Sequence, residues 1–110
     1  RIFVVGGGKA SGLMAEAFEK IVNSDITAGY INCVDTDYRT KKVEIIKASH
    51  PVPDENGVNG VKKMLALKDR YDIKDKDVII CLISGGGSAL IPYPAEGITL
   101  EDKQKTTKLL

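Results

Sequence analysis

Val78-Ile79-Ile80-Cys81-Leu82-Ile83-Ser84-Gly85-Gly86-Gly87-Ser88-Ala89-Leu90 decides the fold. Six apolar residues run together, stop at a serine, pass three glycines and a second serine, and turn apolar again. An unbroken run this short, rich in Val and Ile, reads as a strand buried on both faces, as in a parallel sheet. Glycines after such a strand let the backbone take positive φ and let another molecule approach bare N–H groups. A helix opened by Ser88 would aim its dipole at the same loop, which is the layout of an anion site.

A second glycine loop occupies the same place in its own unit. Ile2-Phe3-Val4-Val5 is a short apolar strand, and Gly6-Gly7-Gly8-Lys9-Ala10-Ser11-Gly12 follows it directly. A helical pattern then runs from Leu13 to about Val22, with Met14, Ala17, Phe18 and Ile21 as its apolar stripe. Glu16, Glu19 and Lys20 are expected to face water.

Ala28–Val34 and Val43–Ala48 read as further strands. The segment between them is shorter than a parallel crossover ordinarily needs, so the pair is expected to form a hairpin at the sheet edge. His50-Pro51-Val52-Pro53-Asp54-Glu55-Asn56-Gly57 is a connector whose prolines exclude helix and central strand. A helix from Val58 to Arg70 follows, with Val58, Val61, Leu65 and Met64 as its buried stripe. Beyond the opening stretch, Pro92-Tyr93-Pro94 and Gly97 break the chain. Thr99 and Asp102 then sit at the N-cap and N3 positions of a last helix. The order predicts an α/β, Rossmann-like three-layer sandwich with a mostly parallel sheet and a hairpin edge.

Composition narrows the function classes. Sixteen basic and fifteen acidic residues nearly cancel, so the broad basic field of a nucleic-acid binder is missing. No apolar run approaches the ~20 residues of a membrane span, and no signal segment opens the chain. Cys33 and Cys81 fall inside predicted strands without CxxC spacing, and read as buried thiols of a reducing compartment. The chain opens at the edge of a strand and closes on Leu109-Leu110 within a predicted helix, which suggests part of a longer protein.

If the strands at 2–5 and 78–83 are parallel, both glycine loops lie on one rim, where ligands of open α/β sheets bind. The plainer alternative is a pair of tight strand-to-helix turns. Neither loop is a standard nucleotide signature. A Walker A loop needs glycine where Phe3 stands and Ser or Thr where Ala10 stands. The dinucleotide pattern would put its third glycine at Ser11, and Asp35 lies farther on than that pattern's usual ~20 residues. Lys9 stands where a point charge can meet a phosphate or carboxylate, although a cation at a helix start opposes the dipole. Ser84 and Ser88 offer hydroxyls to a phosphate, with N-capping by Ser88 as the plainer role. A GxSxG elbow is not matched, which argues against a serine hydrolase. His50 reads as a loop residue that fixes its turn, and Asp54 and Glu55 as helix-capping residues.

Four motifs in order carry a family resemblance. Gly8-Lys9-Ala10-Ser11 with Met14-Ala15, then His50 to Glu55, then Ser84 to Leu90, then Pro94-Ala95-Glu96-Gly97-Ile98-Thr99-Leu100-Glu101-Asp102-Lys103 resemble the type-2 glycerate kinase family, which carries a C-terminal MOFRL domain. The resemblance implies that residues 1–110 are part of the N-terminal α/β domain of a two-domain cytoplasmic enzyme with its active site between domains. It implies transfer of the ATP γ-phosphoryl group to D-glycerate, usually at the 2-hydroxyl, with Mg²⁺. Carried over by position, Lys9 is the catalytic lysine, and Gly7, Gly8, Ser84, Gly85, Gly86, Gly87 and Ser88 hold the nucleotide phosphates. No metal ligand or general base is assigned within 1–110, and the segment alone is expected to be inactive. The expected partners are D-glycerate and a nucleotide, with room for a homo-oligomer and none for nucleic acid or membrane. Two other classes stay open: an NAD(P)-dependent, hydroxypyruvate reductase-like oxidoreductase, and a non-catalytic anion-binding α/β module.

Overall fold

Phosphate-type loops matter only if the strands feeding them end on the same side. The computed structural model, which describes residues 1–110, meets that condition. The strands are β1 (Ile2–Gly7), β2 (Ile26–Cys33), β3 (Val43–Lys47) and β4 (Val78–Ile83). The helices are α1 (Ser11–Val22), α2 (Glu55–Arg70), the one-turn α3 (Gly87–Leu90) and α4 (Leu100–Leu109). One sheet in the order β3-β2-β1-β4 contains all four strands, and every pairing is parallel.

The α/β reading therefore stands, and the hairpin edge does not. Strand β3 pairs parallel to β2, with Gly29 opposite Val43 and Cys33 opposite Lys47. The return needed is short. Climbing back from Cys33 to the level of Gly29 covers about 13 Å at ~3.3 Å per residue, and the extended residues 34–42 can reach roughly twice that. A strap without a helix is enough. It lies along α1 and is fastened there by carboxylates. Glu16 accepts from the Arg39 N–H (2.7 Å). Glu19 accepts from the N–H groups of Lys41, Lys42 (3.1 Å) and Val43 (3.3 Å). Glu19 is thus buried, against the expectation that it faces water.

That burial resets the phase of α1. Ala15 and Glu19 are buried, Phe18 and Val22 are partly so, and Ile21 is exposed. The inward stripe is Ala15-Phe18-Glu19-Val22, one residue on from the apolar pattern. It packs with Val4, Ile31, Cys33 and Val43 as the core of one sheet face, flanked by Ile80 and Leu82. On the opposite face, α2 covers Phe3 and Val5 with Val61, Met64 and Leu67. Leu67 is buried there, whereas Leu65 is exposed. Asp54 caps α2 as expected, its side chain accepting from Gly57 N–H (3.0 Å). Thr99 and Asp102 form a full capping box on α4.

The opening stretch needs the largest correction. Within residues 1–110, strand β4 lies at the edge of the sheet and is not covered on both faces. Ile80 and Leu82 turn toward α1, while Ile79, Cys81 and Ile83 are exposed on the α2 side. Cys33 is buried and Cys81 is not.

Candidate functional site

Because the sheet is all parallel, the C-terminal ends of all four strands share one rim. The chain builds β1, β2 and β3 in one direction, then returns to lay β4 on the other side of β1. That reversal is a topological switch point, where open α/β sheets form their ligand crevice. The two glycine loops end the two strands that flank it.

They are locked together. Strands β1 and β4 pair from Ile2 opposite Val78 to Gly7 opposite Ile83. Ser84 N–H donates to Gly7 O (3.2 Å), and Lys9 N–H donates to Gly85 O (2.8 Å). Ala10 N–H donates to the Ser84 hydroxyl (3.0 Å). Glycine is required at Gly8: with φ at +139°, a Cβ there would fall into Ser84, 2.7 Å from its carbonyl oxygen. Gly7 and Gly8 are buried and form the floor, while Lys9 is exposed above it.

The upper loop differs from its expected form. The first residue of α3 is Gly87, and its N-cap is Gly86 in the left-handed region (φ +87°), so Ser88 does not cap. One turn of helix carries little dipole. The N–H groups of Gly85, Gly86, Gly87 and Ser88 nevertheless donate to no acceptor in the protein. Ser88 is exposed and Ser84 half-buried. Lys9 Nζ forms no ion pair. The rim therefore presents one ammonium, two hydroxyls and four adjacent N–H groups to whatever enters, a donor set suited to anionic oxygens. No group of three or more His, Cys, Asp or Glu is arranged to hold a metal ion.

A residue with no sequence signal holds the rim in place. Asn32, fully buried near the end of β2, donates from Nδ2 to Gly57 O (2.9 Å) and Leu90 O (2.8 Å). Its own carbonyl accepts from Gly8 N–H (3.1 Å) and from the Ser11 hydroxyl (3.1 Å). One residue thus ties together the start of α2 and the end of α3 through its side chain, and the first glycine loop through its backbone carbonyl. Two carbonyl partners fix the amide orientation, because only the NH₂ end can serve both. Gly60 of α2 packs so close that a Cβ there would sit 2.7 Å from Asn32 Cγ. An isolated Asn in an apolar strand is the only sequence trace of this hub.

Two features weigh on the dinucleotide alternative. Ser11, at the third-glycine place, is fully buried, with its hydroxyl bound to Gly8 O (2.7 Å). The Tyr38 ring of the strap covers Gly12, lying 2.8 Å at Cζ from where a Cβ would stand. Burial, followed by Cys33, pushes the Tyr38 phenol pKa up.

The family described as "Domain of unknown function (DUF4147)" matches residues 1–110, and the chain belongs to it. It is 40% identical over 111 residues to a glycerate 2-kinase of Pyrococcus horikoshii, which covers 100% of the chain and 24% of that protein. A relative from Agrobacterium vitis that bears a hydroxypyruvate reductase name is 37% identical, over 100% of the chain and 28% of its own length. The crystal structure of a Thermotoga maritima glycerate kinase superposes with a TM-score of 0.84 at 35% identity, covering 98% of the chain and 26% of the kinase. The chain spans about a quarter of the relatives' length. No helix in it is long and apolar enough to cross a membrane.

Proposed function

We propose that this chain supplies the phosphate-cradling rim of an ATP-dependent glycerate kinase, acting on D-glycerate, most often at its 2-hydroxyl. The observation that carries the reading is the docking of two glycine loops at the switch point, where the Lys9 side chain runs against Gly85 and Gly86 and the N–H groups of Gly85 to Ser88 are free. Phosphoryl transfer asks a protein chiefly for positioning and for stabilisation of charge on the moving group. ATP supplies the transferred group when bound. Lys9 neutralises charge on it, the N–H groups of residues 85–88 hold its oxygens, and the hydroxyls of Ser84 and Ser88 orient them. Gly7 and Gly8 keep the floor low enough for the loops to touch.

The chain's residues fit the phosphates and do not by themselves fit Mg²⁺, whose carboxylate donors are not gathered here. No step is routed through the metal. The same proposal places residues 1–110 in the N-terminal α/β domain of a two-domain enzyme, with substrate between the domains. On this reading residues 1–110 alone give no turnover, because they supply one wall of the cleft. A cytoplasmic setting and a homo-oligomeric assembly belong to the same proposal.

The oxidoreductase reading draws on the name of the Agrobacterium vitis relative and is opposed by Ser11 and Tyr38, which fill the places a dinucleotide loop leaves open. Lys9→Ala in the full-length polypeptide separates the classes. Coupled assay of ADP release with D-glycerate should show kcat lowered by roughly 10²–10³, the scale of one lost preorganised donor, with ATP affinity changed far less. Undiminished turnover would refute the role of Lys9. NADH binding without ATP binding would favour the oxidoreductase, and ATP or phosphate binding without turnover would favour the anion-binding module.

A further inference from the structure

His50 stands on the same rim, outside the set of Lys9, Ser84 and residues 85–88. It ends the short segment after β3, and its imidazole leans on the upper glycine loop. Its Cδ2 and Nε2 lie 2.8 and 3.1 Å from the point where a Gly86 side chain would begin, and Lys9 Cγ lies 3.3 Å from that point. Three separate connections, after β1, β3 and β4, therefore meet at Gly86. The ring is exposed, and neither of its nitrogens hydrogen-bonds to the protein.

The connector that carries the ring is well anchored. Asp54 Oδ1 accepts from Ser49 N–H (3.3 Å) and from Gly57 N–H (3.0 Å), bracketing the connector on both sides of His50. Pro53 is fully buried, and Asn32 holds Gly57 O. The elements facing the ring bring Lys9 and no carboxylate: α3 is Gly-Ser-Ala-Leu, and β4 ends in Ile83 with Ser84 after it. Asp54, the nearest acid in the connector, already caps α2.

We propose that His50 is an anion-contacting residue of this site, donating an imidazole N–H to the same anionic oxygens that Lys9 and residues 85–88 gather. The proposal rests on the reading of the rim as an anion site. Phosphoryl and carboxylate oxygens present the same chemistry to an imidazole, so ATP, inorganic phosphate and D-glycerate are the candidate sources.

Calorimetric titration of the full-length protein with each of these three separates the sources. The variants are Lys9→Ala, His50→Ala and His50→Phe. His50→Phe keeps a ring against Gly86 and removes both nitrogens. Both His50 variants should weaken binding of at least one ligand about tenfold or more, the measure of a lost charge-assisted hydrogen bond, with an unchanged thermal midpoint for His50→Phe. The ligand whose affinity falls names the oxygen that His50 touches. Wild-type affinity in His50→Phe would make the ring a wedge for Gly86 and overturn the proposal. Affinities untouched in both His50 variants but weakened in Lys9→Ala would also overturn it while leaving the anion site intact. Binding of none of the three ligands to the wild type would sink both.

Discussion

Replacing Asn32 by aspartate is the sharpest test of how the rim is held. The change is nearly isosteric and converts a double donor into an acceptor. Two buried hydrogen bonds, 2.9 Å to Gly57 O and 2.8 Å to Leu90 O, are lost. Each is worth about 1 kcal/mol net, and each buried carbonyl left facing an oxygen costs roughly a further 1 kcal/mol or more. The sum is about 4 kcal/mol, a large share of the ~5–15 kcal/mol that stabilises an ordinary domain. The loss should depend on pH. Among carbonyls and away from water, the new carboxyl is favoured in its protonated form, which also returns one O–H donor. Its folded pKa is then raised above the unfolded value of ~3.9. The penalty is least below that value and grows as pH rises through the folded pKa. Urea denaturation of wild type and Asn32→Asp across pH 4 to 8 reads both quantities. A variant within about 0.5 kcal/mol of wild type throughout, the range of ordinary surface changes, would refute the hub.

Glu19→Gln leaves one acceptor oxygen where the strap offers three N–H groups, and should cost about 1–3 kcal/mol; hydrogen exchange at Lys41, Lys42 and Val43 should quicken, and unchanged rates would count against the fastening. Gly8→Ala should fold poorly or lose phosphate binding, since its Cβ meets Ser84 at positive φ; normal thermal stability together with normal affinity would remove the argument for close docking. Arg1 donates twice to Asp77 (3.1 and 2.9 Å) and Lys74 N–H donates once more (2.8 Å), which holds the Asp77 carboxyl well below the usual carboxylate range. Its contribution is present above the unfolded value of 3.8 and is lost as pH falls through the lower folded one. Thermal midpoints of Asp77→Asn should therefore fall less steeply than wild type in acid, and parallel curves would contradict this.

What could be read from the chain was whatever is local. Apolar runs located the strands, and glycines after two of them located the rim. Asp54 and the Thr99–Asp102 pair announced helix starts because capping is a matter of three or four residues. What could not be read depended on distant partners. A run such as Val78 to Ile83 says that apolar surface exists, not that residues 1–110 cover it, so a strand exposed on one face read as buried on both. Glu19 looked solvated because its three donors come from a strap more than twenty residues away. The parallel return of β3 was missed because connection length was judged without the small offset it had to span. Asn32 belongs to no motif, and His50 opens one without a role attached to it; their places emerge only when distant connections converge.

The two edges of the sheet have unlike consequences for handling the chain in solution. Strand β3 is five residues long and carries Glu44 and Lys47 exposed on it, the charges that discourage edge-to-edge pairing. Strand β4 offers Val78-Ile79-Ile80-Cys81-Leu82-Ile83 with no charge and an unpaired outer backbone. Left bare at high concentration, that edge is a template for cross-β growth, and colloidal stability falls there first. A single lysine in place of exposed Ile79 would act as a gatekeeper against such growth.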